Sequence, residues 1–110
     1  MTDSLNVVCL TGHLERPSTV RDTDGQAIAR FTVRCEESGK DGTMFKIYVP
    51  CECYGRLAER ASSWEPGTLL AIEGRLKWRS YVDAQGQKHS GLAVFAREVR
   101  VLEPASVAAE

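Results

Sequence analysis

Between Gly74 and Tyr81 the chain reads Gly-Arg-Leu-Lys-Trp-Arg-Ser-Tyr. Side chains of an extended strand alternate between faces, so Arg75, Lys77, Arg79 and Tyr81 share one face, while Leu70, Ile72, Gly74, Leu76 and Trp78 share the other. Three cations beside a phenol ring can hold a flexible polyanion whose bases are exposed. The opposite row is apolar enough to form a core.

The pattern recurs on two more stretches. Ala27, Ala29, Phe31, Val33 and Cys35 alternate with Ile28, Arg30, Thr32, Arg34 and Glu36. Further on, Phe45, Ile47, Val49, Cys51 and Cys53 form an apolar row opposite Lys46, Tyr48, Pro50, Glu52 and Tyr54. The outer rows together offer Arg30, Arg34, Lys46, Tyr48, Tyr54, Arg75, Lys77, Arg79 and Tyr81. Single-strand binding uses both kinds of group, since cations track phosphates and rings stack on bases at roughly 1–3 kcal/mol per base. A duplex would leave the rings without work. Tyr48 and Tyr54, separated by about 20 Å in an extended strand, could engage several nucleotides. Each feature also has a plainer meaning: an alternating Arg/Lys row is commonly a solvated face, and an outward tyrosine can cover a subunit interface.

The two tryptophans have buried parity, Trp64 on a helix and Trp78 on the strand, so a core place is expected for both. Trp78 also stands among the candidate DNA contacts, because a bulge would turn it outward.

Catalytic and metal chemistry find little support. His13 and His89 sit near turns with no evident nucleophile or acidic partner in sequence, and no phosphate-binding glycine loop, His-Glu-x-x-His helix or Gly-x-Ser-x-Gly elbow is present. Neither an enzyme nor a cofactor is expected. Of the four cysteines, Cys51 and Cys53 are two apart, unlike the Cys-x-x-Cys of zinc or redox sites. All four, with Cys9 and Cys35, are expected as buried reduced thiols.

The elements that position these residues fit one small domain. The chain has 110 residues, 43% hydrophobic and 26% charged, with a net charge of −1 that points to no particular partner. The N-terminus shows no signal-peptide pattern and no run approaches the roughly 18 apolar residues of a membrane span, so a cytoplasmic protein with no membrane partner is expected, and DNA binding by the outer rows would make it nucleoid-associated. A first strand over Asn6–Gly12 is predicted, with an irregular connection beginning at Arg16-Pro17. A turn at Asp24-Gly25 leads to the second strand and the loop from Glu37 to Thr43 to the third, which Pro50 marks as an edge or a bulge. Arg56–Trp64 is a helix with Leu57, Ala61 and Trp64 on one face. A fourth strand spans about Thr68–Tyr81, and Asp83–Gln87 turns into a fifth carrying Leu92, Val94 and Ala96, then Val99 and Val101. The change of parity at Arg97-Glu98 predicts a bulge. An all-β chain of five strands, with one short helix between strands 3 and 4, has the layout of the OB-fold barrel, which commonly binds oligonucleotides or oligosaccharides. The domain is expected over 1–104, with 105–110 a short flexible tail.

In order and spacing, several segments resemble bacterial single-stranded DNA-binding proteins: Leu5-Asn-Val-Val-Cys-Leu-Thr-Gly-His-Leu14, Ala27-Ile-Ala-Arg-Phe-Thr-Val33, Tyr48-Val-Pro-Cys-Glu-Cys-Tyr-Gly-Arg-Leu-Ala-Glu59, Gly67-Thr-Leu-Leu-Ala-Ile-Glu-Gly-Arg-Leu76 and Tyr81-Val-Asp-Ala-Gln-Gly-Gln87. The resemblance implies base stacking at Tyr48, Tyr54 and Tyr81, phosphate contacts from nearby cations, and a homotetramer, with a homodimer as the alternative. It also implies roles in DNA replication, recombination and repair. Two departures stand out. Glu36-Glu37-Ser38-Gly39 replaces a stacking aromatic, which implies weaker binding, and the acidic, phenylalanine-tipped tail that recruits replication or repair proteins in many members has no counterpart in Pro104–Glu110. An accessory adaptor like the primosomal relatives, binding mainly replication proteins, is the alternative; an oligosaccharide-binding OB domain ranks third.

Overall fold

The computed structural model describes residues 4–105. Five strands, β1 (Val8–Thr23), β2 (Gln26–Ser38), β3 (Met44–Tyr54), β4 (Leu69–Val82) and β5 (Lys88–Glu103), close into a barrel in the order β1-β2-β3-β5-β4. The helix α1 (Arg56–Ala61) lies between β3 and β4, as the OB layout requires. Most of the expected tail, 106–110, lies outside the described residues.

The turn at Asp24-Gly25 sets the first hairpin. Both residues have positive φ, 53° and 79°, and Thr23 faces Gln26, which is the two-residue turn whose twist matches that of paired strands. Such a turn needs a strand on each side. The expected irregular connection at Arg16-Pro17 is therefore corrected: β1 continues to Thr23, absorbing the irregularity as register shifts between Leu14 and Arg16 and between Arg16 and Thr19.

The core gathers Leu14, Phe31, Val33, Cys51, Cys53, Leu70, Ile72, Val94, Ala96 and Val99. Trp64, 8% exposed, packs edge-on against Phe31 at 5.4 Å and caps the barrel together with Ala58 and Ala61 of α1. The helix is shorter than expected, ending at Ala61, with Trp64 reached through a turn. Burial pushes the Cys51 and Cys53 thiols up to about 12, so both act as small hydrophobes. Cys9 differs from expectation: it lies exposed on the outside of β1, while Cys35 is half-buried.

The fifth strand bulges where parity predicts. Glu73 faces Glu98 and Gly74 faces Ala96, so Arg97 is the extra residue. Gly74 is required there, because a Cβ would stand 2.1 Å from the Phe95 carbonyl oxygen.

Parity fails at the hairpin ends. The barrel closes through a short parallel contact, Cys51 with Val94 and Glu52 with Phe95, after which β3 parts from β5. Pro50 thus lies at an open edge of β3, paired with Thr32 on its other side and without a bulge. Beyond that closure no second layer among the described residues covers the inner rows, which leaves Phe45, Ile47, Leu76, Trp78 and Leu92 exposed instead of buried.

Candidate nucleic-acid interface

The outer faces of β2, β3, β4 and β5 place the candidate residues in two linked clusters. Closure sets Glu52 beside Phe95, and the β2–β3 register sets it opposite Arg30. The Arg30 Nε donates to Glu52 Oε2 at 2.9 Å and the Tyr54 hydroxyl donates to Oε1 at 3.0 Å. Lys77 Nζ, which donates to the Tyr54 hydroxyl at 3.3 Å, lies 3.8 Å from Oε1. The Tyr54 ring meets Phe95 edge-on at 5.2 Å, and Lys77 and Arg75 lie 5.1 and 5.3 Å from the Phe95 centroid. Rings and cations here form one cross-braced patch.

The second cluster surrounds Tyr81 on the β4–β5 hairpin. Opposite it, His89 stacks at 5.1 Å and 18°, while the Arg79 and Arg30 guanidiniums lie 5.1 and 5.7 Å from the Tyr81 centroid. Arg30 joins the clusters. His89 Nε2 is 2.7 Å from Asp83 Oδ2, and the other Asp83 oxygen accepts the Gln85 and Gln87 amides at 2.9 Å. The His89 contact first, then these amides, holds the Asp83 carboxyl below the usual aspartate range. A recess of about 600 Å³ beside Tyr81 is lined by Arg16, Arg21, Arg30 and Arg79.

Four candidates stand apart from these clusters. Tyr48 is exposed on β3 opposite Arg34, next to a smaller recess that it shares with Glu15, Arg16, Thr32 and Pro50. Arg34 is occupied: its Nη1 reaches Glu15 at 2.6 Å and its Nε reaches Glu36 at 2.9 Å, and hydrogen bonds to these two acids raise its pKa. Lys46, exposed opposite Glu36, sits far along the β2–β3 hairpin. Trp78 is 64% exposed, yet β4 has no bulge between Gly74 and Val82, so it lies on the opposite face of the ribbon from Lys77 and Arg79. The missing second layer exposes it, and no reversal of the strand does.

Residues 5–102 match the model of the single-strand binding protein family. The chain belongs to that family. It is 34% identical over 103 residues to Single-stranded DNA-binding protein 1 of Streptococcus pyogenes serotype M18, covering 90% of this chain and 79% of that protein. Single-stranded DNA-binding protein A of Bacillus subtilis is 33% identical over 104 residues, with 91% and 60% covered, and the single-stranded DNA-binding protein of Halalkalibacterium halodurans is 32% identical over 104, with 91% and 62% covered. The chain thus spans about three fifths of the length of the second and third relatives.

Sequence reasoning missed four residues of this family member's outer face and the burial of a fifth. Arg16 and Arg21 were hidden in the supposed connection, although the Asp24-Gly25 turn implies a strand through both. Phe95 has outer parity between Val94 and Ala96 and could have been read from that alternation. His89 could be found only through the hairpin register. Glu52 was placed on the outer row, but nothing local announced that it would be 3% exposed and bound to two cations.

Proposed function

We propose that residues 1–104 form a sequence-independent single-stranded DNA-binding domain that protects DNA in replication, recombination or repair. Bases stack on Tyr54, Tyr81 and Tyr48, while Arg30, Arg75, Lys77 and Arg79, joined by Arg16 and Arg21, hold phosphates. The observation that carries this reading is the joining of cations and rings on one face, with Lys77 within 5.3 Å of the Tyr54 centroid and Arg79 within 5.1 Å of that of Tyr81. Family membership and the relatives' names point the same way and do not favour an adaptor. No helix among the described residues is long and apolar enough to cross a membrane. Binding of single-stranded DNA would place its work at the nucleoid in the cytoplasm.

Self-association belongs to this proposal. β1 pairs with β4 over Val8–His13 but with β2 only from His13 onward, so Val8–Gly12 keeps one edge without a strand partner among the described residues. An edge of that kind suits pairing across a two-fold axis, and we place a homotetramer of two such dimers ahead of a lone dimer.

Titration of a fluorescent oligothymidine at two salt concentrations tests the binding. Affinity should fall steeply with salt as counterions are released. Absence of binding at low salt would refute the reading, and light scattering separates tetramer from dimer.

A further inference from the structure

Glu52 is an unexpected group for the middle of a phosphate-binding face. Its side chain is 4% exposed, far more buried than that of Arg30 or Lys77, which it holds at 2.9 and 3.8 Å. Buried carboxylates persist only when paired and hydrogen-bonded, and Arg30, Lys77 and the Tyr54 hydroxyl meet that need. The trio of Arg30, Lys77 and Glu52 therefore carries a net charge of +1, although two cations front it.

We propose that Glu52 is a built-in attenuator of single-strand binding: a fixed anion that neutralises one face cation and so lowers affinity and salt sensitivity. The inference rests on the proposed binding function. The carboxylate takes the Arg30 Nε and stands beside Lys77 and Tyr54, where a phosphate would otherwise release a second counterion. Glu52 sits where β3 pairs with β5, its side chain 4% exposed and held by Arg30, Tyr54 and Lys77, so it does not swing away when DNA arrives. The attenuation is permanent, unlike that of a flexible acidic side chain at a rim.

Glu52→Gln tests this with little change in shape, since the amide still accepts from Arg30 and can bond the Tyr54 hydroxyl. The trio then carries +2. One additional single-strand phosphate contact should steepen the plot of log K against log salt by about 0.7, which raises affinity about eightfold at 50 mM salt and about threefold at 200 mM. The Arg30→Gln/Glu52→Gln double variant returns the trio to +1 and should regain the wild-type slope despite having lost a face cation. It also removes the buried pair together, so it carries the test if the single variant melts early. Equal or weaker binding by folded Glu52→Gln at unchanged slope would overturn the proposal, as would a double variant shallower than wild type by about 0.7. Wild-type protein that fails to bind in the same titration would instead overturn the reading of the face itself, and the attenuator with it.

Discussion

Tyr54 and Tyr81 are both tyrosines with cations at their faces, yet they are held in different ways. Tyr54 stands at the closure of the barrel, its hydroxyl fixed between Glu52 and Lys77 and its ring braced by Phe95. Tyr81 stands out on the β4–β5 hairpin, stacked on His89 and touched by guanidiniums, its hydroxyl without a hydrogen bond among the described residues. One ring is locked before DNA arrives, and the other can be re-stacked. Preorganisation reduces the ordering cost of binding, so the closure should supply more affinity per ring and the hairpin more adaptability.

The largest expected effect follows from removing the locked ring. Tyr54→Ala should lower oligothymidine affinity by about 3 kcal/mol, the upper end for one stacked base, and should also lower the melting temperature because Glu52 loses a donor. Tyr54→Phe should retain most of the affinity. If Tyr54→Phe binds as poorly as Tyr54→Ala, the hydroxyl bridge rather than the ring is the functional group.

Gly74→Ala attacks the closure from behind. Its Cβ would press on the Phe95 carbonyl at 2.1 Å, and overpacking of this kind costs about 1–3 kcal/mol of stability, read by thermal or urea unfolding. Unchanged stability would mean that the bulge at Arg97 yields easily and that Phe95 is not firmly placed.

On the hairpin, Tyr81→Ala should cost about 1 kcal/mol of binding and leave the melting temperature unchanged, since the ring lies beyond the barrel. A loss as large as that for Tyr54→Ala would erase the distinction between the two regions. Arg79→Ala should act through charge, with a salt slope shallower by about 0.7 and a loss spread evenly over base sequences. An altered base preference at constant slope would contradict phosphate contact.

The smallest effect concerns Asp83. Its pKa is depressed in the folded hairpin, chiefly by His89, so the stability it lends is present above the unfolded aspartate pKa and is lost as pH falls through the lower folded value. The Gln85 and Gln87 amide resonances should therefore report a midpoint below that of an ordinary aspartate. The core should stay intact over that interval.

How much of this was legible in the sequence differs along single strands. In β4 the row Leu70, Ile72, Gly74 was read correctly as core, whereas Leu76 and Trp78 kept the same parity and came out exposed. Alternation reports which face a residue takes, but burial depends on whether another layer lies over that face, and this was set by where β3 leaves β5. The bulge at Arg97 was visible because it shifts the apolar row itself. Long-range pairings were the hidden part: Arg30 with Glu52, Tyr81 with His89 and Arg34 with Glu15 are products of register, which single-strand patterns do not contain. The outer tyrosines were legible as a set. The difference between a locked and a free one was not.

Photo-crosslinking to an oligonucleotide carrying 5-bromodeoxyuridine at every position, followed by mapping of the modified peptides, tests the central claim most directly. The account predicts adducts on Tyr54 and Tyr81, with fewer on Tyr48, and none on Trp64 beneath α1. Adducts confined to the opposite outer surface around Cys9, Thr11 and Ala71, with the tyrosines untouched, would contradict it.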